Sequence, residues 1–109
     1  MKIRWLCMIV LLWAMPAGAQ QRFTLVTEEQ PPMNYLDVET GTVRGISTEL
    51  VRAIMEKAGY DYHIQLMPWN RGFRRALQDK NTCIFTTVRT PSRESQFKWV
   101  SPLFSSGWA

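Results

Sequence analysis

Cysteine and histidine are scarce in this sequence of 109 residues, which contains two cysteines and one histidine. Cys7 lies in an apolar run near the amino terminus, so Cys83 has no disulfide partner in the rest of the chain. The apolar neighbours of Cys83 predict a small buried side chain rather than a reactive thiol. The single His63 excludes a His/Cys/Asp cluster at metal-ligand spacing, and the adjacent Glu28 and Glu29 would point apart in an extended loop. We therefore predict no metal, no cofactor and no catalytic residues.

No apolar run in the sequence reaches the roughly 20 residues that a membrane-spanning helix needs. The longest run, residues 5–15, follows the positively charged Lys2 and Arg4 and precedes Ala17-Gly18-Ala19. This order is typical of a secretory signal peptide. We predict a signal peptide over residues 1–19, with cleavage after Ala19 and a periplasmic location for residues 20–109. An uncleaved anchor helix is the alternative.

A continuous basic stripe is also absent. Removal of Lys2 and Arg4 with the signal peptide would lower the formal net charge from +4 to +2. The arginines of the later segments are dispersed among elements: Arg71, Arg74, Arg75, Arg89 and Arg93. A nucleic-acid surface requires clustered positive charge, so nucleic acid is not predicted as a partner.

After residue 20, short β-like runs alternate with helical patterns, which is typical of parallel βαβ units. Strands are predicted over 22–27, 61–67, 82–88 and 97–100, and helices over 47–58 and 70–79. The run 82–88 is almost entirely apolar or β-branched, which favours a central strand covered on both faces. The predicted fold class is α/β, with an open, mostly parallel sheet and flanking helices.

The two helices are predicted from capping residues and apolar spacing. Ser47 and Thr48 can cap the first helix with their hydroxyls, and Gly59 is the expected end. Its predicted buried face consists of Ile46, Leu50, Val51, Ile54, Met55 and Ala58. Asn70 is the predicted cap of the second helix. Its predicted inward residues are Phe73, Ala76 and Leu77, and its outward residues are Arg71, Arg74, Arg75 and Gln78.

Three loops are expected to meet where parallel strands end, which is where ligands bind in open α/β sheets. The loops comprise residues 28–35, 68–71 and 89–93. Arg89 and Arg93 offer guanidinium groups for a carboxylate, and Thr90 offers a hydroxyl. Tyr35 and Trp69 offer aromatic faces for the apolar part of a small solute.

Each of these residues has an alternative interpretation. Trp69, next to Pro68, can instead close the top of the core. Arg93 can instead form a surface ion pair with Glu94 or Glu28, and Arg89 is equally open to either role. The helix arginines 71, 74 and 75 are interpreted as a solvated face.

Several segments together resemble bacterial extracellular solute-binding proteins of family 3, which serve amino-acid ABC transporters. The segments are Pro31-Pro32-Met33-Asn34-Tyr35, Gly45 before the helix from Ser47 to Ala58, Pro68-Trp69-Asn70-Arg71, and Arg89-Thr90-Pro91-Ser92-Arg93-Glu94 followed by Phe97 and Ser101-Pro102. The Thr-Pro-x-Arg segment with the following Phe and Ser-Pro is the most specific of them.

The resemblance implies a lobe of the type II periplasmic-binding-protein fold, in which two lobes close around a ligand. It implies that Tyr35 stacks on the solute, that Arg93 holds a carboxylate, and that Thr87 and Thr90 lie nearby. The implied function is non-enzymatic binding of an amino acid or similar small anion by a monomer that delivers it to an ABC transporter permease.

The resemblance covers only a first lobe, so residues 20–109 are expected to be an incomplete solute-binding domain, truncated before the second lobe. Two rival functions use a similar module. One is the sensory input domain of a membrane receptor kinase, and the other is the binding-like domain of a lytic murein transglycosylase.

Overall fold

The computed structural model describes residues 21–103. Within this range the strands are β1 (Arg22–Thr27), β2 (Tyr35–Asp37), β3 (Thr42–Arg44), β4 (Asp61–Leu66) and β5 (Thr82–Ile84), and the helices are α1 (Ile46–Ala58) and α2 (Trp69–Gln78). The predicted signal peptide over residues 1–19 lies outside the described residues.

Strand β1 lies at the centre of a three-stranded parallel sheet with the order β4-β1-β5. Side chains alternate along a strand, so its neighbouring residues face opposite helices. Leu25 packs in the core with Val51 of α1, whereas Val26 lies close to Gly72 of α2. The sheet therefore has a helix on each face, and the predicted α/β class is confirmed.

The prediction of a central strand over 82–88 is wrong. Strand β5 ends at Ile84 and, among the described residues, pairs only with β1. The backbone leaves the strand conformation at Thr86, whose φ of 58° lies in the left-handed region. The central position belongs to β1, where Val26 is 0% exposed.

One hydrophobic cluster of the core lies on the α1 face of the sheet, whereas the buried Val26 lies on the α2 face. Leu25, Val51 and Phe85 are buried together, and partly buried side chains pack around them: Phe23, Met55, Tyr62, Ile64 and Leu103. Leu103 is distant in sequence from these strands, so its packing brings the end of the described chain back to the sheet. The core therefore fixes the segment after β5 as well as the sheet itself.

Helix α1 begins differently from the prediction. The residue before it is Gly45, and neither Ser47 nor Thr48 makes a side-chain capping bond. The free amides of Ile46 and Ser47 instead donate to backbone carbonyls of the 31–34 turn, at 3.1 Å each. Ser47 and Thr48 are fully buried. The turn after β1 therefore replaces a side-chain cap and is held against α1.

The predicted end of α1 at Gly59 is confirmed, since this residue is left-handed with φ 78°. The predicted buried face is wrong in part. Val51 is buried, but Ile46, Ile54 and Ala58 are exposed. The helix contacts the sheet along a stripe that is narrower than its apolar spacing suggests.

Helix α2 begins at Trp69, one residue before the predicted Asn70 cap. A side chain added at Gly72 would lie 3.3 Å from Met67 and 3.5 Å from Val26, so glycine permits the close packing of α2 on the sheet. Leu77 is exposed, contrary to prediction. Arg75, predicted to point outward, is half-buried and donates to Gln65 and Asp79.

Three further predictions need correction. No strand is predicted between residues 28 and 46, yet β2 and β3 form an antiparallel hairpin there. Residues 97–100 do not form a strand. Cys83 is exposed because β5 is an edge strand of the described sheet, although partial burial raises the pKa of its thiol.

Neither helix of the described region combines the length and apolar character required to cross a bilayer. Across residues 21–103, no group of three or more His, Cys, Asp or Glu side chains could hold a metal ion.

Candidate functional site

The three parallel strands end side by side, as predicted. The amide of Met67 donates to the carbonyl of Thr27 at 3.0 Å, which joins the ends of β4 and β1. The Thr27 hydroxyl donates to the carbonyl of Phe85 at 3.1 Å, which joins the ends of β1 and β5. We call this the carboxyl edge; the segments after β1, β4 and β5 leave the sheet here.

A buried asparagine connects two of these segments to α1. Asn34 is 0% exposed, and its amide nitrogen donates to the Thr86 hydroxyl at 3.0 Å. Its amide oxygen accepts from Thr48 of α1 at 3.2 Å and lies 3.3 Å from the Thr86 hydroxyl. Buried polar groups require such partners, so this network holds three segments in one arrangement.

Sequence reasoning missed this network, because a loop asparagine carries no periodic signal. The available hint was its position just after Pro31-Pro32. A chain forced into a tight turn there brings an amide next to the sheet edge.

The Asn34 network also holds a strained residue. Thr86 is β-branched and has a φ of 58°, a conformation that costs roughly 1–2 kcal/mol. Such strain persists where the surroundings fix it, and it is concentrated at binding sites. The next hydroxyl, that of Thr87, is buried without a hydrogen-bond partner among the described residues. The carboxyl edge therefore contains a buried hydroxyl that has no hydrogen-bond partner among residues 21–103.

Replacing Asn34 with alanine should lower the free energy of unfolding by about 2 kcal/mol, because Thr48 loses its buried partner and Thr86 loses the contacts that hold its strained backbone. Urea denaturation followed by tryptophan fluorescence measures this loss. Asn70→Ala removes the same amide from an exposed position and should change stability by about 0.5 kcal/mol or less. Equal losses for both variants would contradict the proposed importance of the network.

Arg93 and Trp69 lie together at the carboxyl edge, as the sequence predicted. The guanidinium carbon of Arg93 is 5.2 Å from the Trp69 ring centroid and 5.6 Å from that of Phe73. One guanidinium nitrogen donates to the carbonyl of Val88 at 3.1 Å. No acidic side chain of residues 21–103 pairs with Arg93, since Glu94 pairs with Arg89. The ion-pair alternative for Arg93 is therefore not the observed arrangement.

Arg89, predicted as a ligand residue, is already paired. Its guanidinium makes two hydrogen bonds to the Glu94 carboxylate, one of 2.7 Å from Nε, and a third of 2.9 Å to the Ser101 hydroxyl. It also lies 5.4 Å from the Trp99 ring centroid. These bonds lower the pKa of Glu94, because they stabilise the ionised carboxylate. Both groups are therefore charged near neutral pH.

Four aromatic rings form a continuous row beside the two arginines. Trp69 lies 5.7 Å from Phe73, Phe73 lies 5.2 Å from Phe97, and Phe97 lies 5.7 Å from Trp99, measured between centroids. Trp69 is half-buried: its ring packs against Phe73 in this row and also lies against the guanidinium of Arg93. The row joins Phe73 of α2 to Phe97 and Trp99 of the 88–101 segment, and these ring contacts were not predicted from sequence spacing.

Two predicted ligand residues, Tyr35 and Thr90, are not part of the contact between Trp69 and Arg93. Tyr35 is half-buried in β2 opposite Arg44, and no ring or cation–π contact among the described residues includes it. The Thr90 hydroxyl lies 3.1 Å from that of Ser92. The structure therefore brings Trp69 and Arg93 into contact and leaves Tyr35 on the neighbouring hairpin.

Two surface hollows lie away from the carboxyl edge. One of about 210 Å³ is lined by Gln21, Gly59, Tyr60 and Asp61. The other, of about 510 Å³, lies between the hairpin and β4 and includes Arg52 and His63. Neither contains a predicted ligand residue. A concave solute site at the carboxyl edge would need a covering surface in addition to the residues described.

Comparison with protein-family models matches residues 23–108 to the bacterial extracellular solute-binding proteins, family 3. A search of curated protein sequences gives no match. The matched range includes β1 from Phe23 onward, both helices, the Asn34 network and every predicted ligand residue. The parallel sheet, the carboxyl edge and a match over most of the chain agree, and the protein therefore belongs to the bacterial extracellular solute-binding proteins, family 3.

Proposed function

We propose that this protein binds an amino acid or a similar small carboxylate at the carboxyl edge. The observation that carries the proposal is Arg93, a half-buried guanidinium that no acidic side chain of residues 21–103 neutralises. It lies against Trp69 in a segment that also contains Thr87, whose buried hydroxyl has no partner among the described residues. A charged donor with no carboxylate partner among these residues suits a ligand that supplies oxygen acceptors.

The surroundings of Arg93 favour a carboxylate over a neutral polar group. Aromatic rings on one side hold the guanidinium plane and limit its hydration. The N–H groups that do not bond to Val88 can then donate in pairs to the two oxygens of a carboxylate. In this proposal Tyr35 contacts the apolar part of the solute, and Thr87 and Thr90 donate hydrogen bonds beside Arg93.

The family description supports an extracellular role, and the order of residues 1–19 supports export. We therefore place the mature protein in the periplasm, as a non-enzymatic monomer that delivers its solute to an ABC transporter permease. In this proposal residues 20–109 form the first lobe of a two-lobed clamp, and the second lobe would supply the covering surface.

A titration of the chain without residues 1–19 tests the proposal. Amino acids and other small carboxylates should perturb the Trp69 indole N–H resonance in two-dimensional NMR. The described residues contact a solute from one side only, so the dissociation constant should be on the order of millimolar.

Each amino acid has a matched control in its amide, which has the same shape without the negative charge. The amide should bind at least about tenfold more weakly, because charge-assisted hydrogen bonds are the stronger class. If acid and amide perturb the resonance equally, a carboxylate is not the recognised group. If neither perturbs it at high millimolar concentration, the proposed solute class is wrong.

A further inference from the structure

Arg89 joins the two ends of the 88–101 segment to its middle. Arg89 bonds to both carboxylate oxygens of Glu94 and to the Ser101 hydroxyl, and it lies 5.4 Å from the Trp99 ring centroid. The Trp99 indole N–H donates to the backbone carbonyl of Glu94 at 3.2 Å. We call these four residues the Arg89 clasp. Its contacts join the beginning, middle and end of the segment.

Arg93 lies inside the loop that the clasp closes. Its amide donates to the carbonyl of Thr90 at 3.0 Å, and its own carbonyl accepts from the amide of Gln96 at 3.0 Å. Two consecutive tight turns of this kind on an exposed segment are marginal by themselves, because few buried contacts hold them. The bidentate Arg89–Glu94 pair spans the first turn and shortens the stretch of free chain around Arg93.

From this geometry we infer that Arg89 and Glu94 are positioning residues, which hold Arg93 over Trp69 and do not contact the solute. Only the expected effect on solute affinity rests on the proposed function; the structural role of the two residues does not. Arg89 commits its Nε, Nη1 and Nη2 atoms to Glu94 and Ser101, and its stacking partner is Trp99 rather than Trp69. In the segment Arg-Thr-Pro-Ser-Arg-Glu, Arg93 is therefore the arginine that contacts the solute, and Arg89 is the arginine that holds the segment in place.

The first experiment uses the chain without any solute. Arg93→Ala should shift the Trp69 indole N–H resonance, because a charge 5.2 Å from the ring is removed. Arg89→Ala and Glu94→Gln should each shift the same resonance in the same direction. The double variant should shift it no further than either single variant, since the two residues act through one pair. Assignment of the resonance comes from Trp69→Phe.

Arg22→Ala is the matched control, because it removes an exposed ion pair with Asp61 at the opposite end of the sheet. It should leave the Trp69 resonance unchanged. The inference is overturned if Arg93→Ala shifts the resonance but Arg89→Ala and Glu94→Gln do not. It is also overturned if Arg93→Ala itself has no effect, because Arg93 would then not lie over Trp69.

The second experiment measures carboxylate affinity by the same resonance. Arg89→Ala and Glu94→Gln should both weaken binding by about two- to fivefold, the range expected for an exposed ion pair. The alternative is that Arg89 itself contacts the solute. Glu94→Gln would then free the Arg89 guanidinium for the solute, and the affinity would stay the same or increase. That result would contradict the inference. If no carboxylate binds the unsubstituted chain, the proposed solute class fails, while the solute-free shifts still decide the role of the clasp.

Discussion

Replacing Arg93 with alanine is expected to weaken carboxylate binding by roughly 10- to 100-fold, the largest effect of any single side chain at the carboxyl edge. The guanidinium is the charged donor that no acidic side chain of the described residues neutralises, and its place against Trp69 and Phe73 leaves N–H groups available to a ligand. Removing it deletes charge-assisted hydrogen bonds and leaves the carboxylate against aromatic rings. Titration monitored by NMR gives the ratio of dissociation constants directly.

Two control variants show whether the loss comes from this guanidinium. Arg74→Ala removes the same charge from an exposed position on α2 and should change affinity by less than about twofold. Arg93→Lys keeps the charge but not the bidentate geometry, so its affinity should lie between those of the unsubstituted chain and the alanine variant. If Arg93→Ala and Arg74→Ala bind equally well, general charge attraction rather than a specific contact explains the affinity.

Replacing Gly45 with alanine is expected to lower the free energy of unfolding by at least about 3 kcal/mol. Gly45 has a φ of 129°, which L side chains rarely adopt, and an added Cβ would lie 2.2 Å from the carbonyl oxygen of Met33. That carbonyl accepts the amide of Ser47 at the start of α1. The methyl group would therefore separate the turn after β1 from the helix. Urea denaturation at equilibrium measures the loss.

Gly41→Ala separates backbone strain from the steric clash. Gly41 also has a positive φ, 70°, but an added Cβ would meet no atom within 4 Å. Its substitution should cost about 1–2 kcal/mol, the penalty of a left-handed backbone alone. If the two variants lose equal stability, contact with Met33 is not what requires glycine at position 45. Because Asn34 follows Met33, the Gly45 variant should also disturb the Asn34 network and weaken solute binding.

Local sequence patterns predicted the strands and helix ends that are determined by residues close to one another in the sequence. The β-like patterns over 22–27 and 61–67 predicted β1 and β4, and Gly59 predicted the end of α1, since each signal depends on neighbours in the sequence. The parallel order then predicted that Trp69 and Arg93 approach one another, because the carboxyl ends of parallel strands share an edge. Their contact confirms that inference.

Local sequence patterns failed where a contact with a residue distant in the sequence determines the backbone conformation. The run 82–88 is suited to a strand throughout, yet β5 ends early because the buried Asn34 amide bonds to Thr86 in a left-handed conformation. The run 97–100 also suits a strand, but the Trp99 indole bonds to the carbonyl of Glu94 and its ring lies beside Arg89. Ser47 and Thr48 have capping side chains, but the 31–34 turn occupies that position.

The sequence by itself determined the α/β class, most of the element boundaries and the edge at which charged and aromatic residues gather, because these follow from periodicity and chain direction. Only the tertiary structure showed which arginine has no carboxylate partner within residues 21–103. By residue type and loop position alone Arg89 and Arg93 are alike, and only the family resemblance implied a carboxylate for Arg93. A guanidinium is available to a ligand only where no carboxylate has folded against it. That distinction depends on three-dimensional contacts of Glu94, Trp99 and Ser101, which spacing along the chain does not encode.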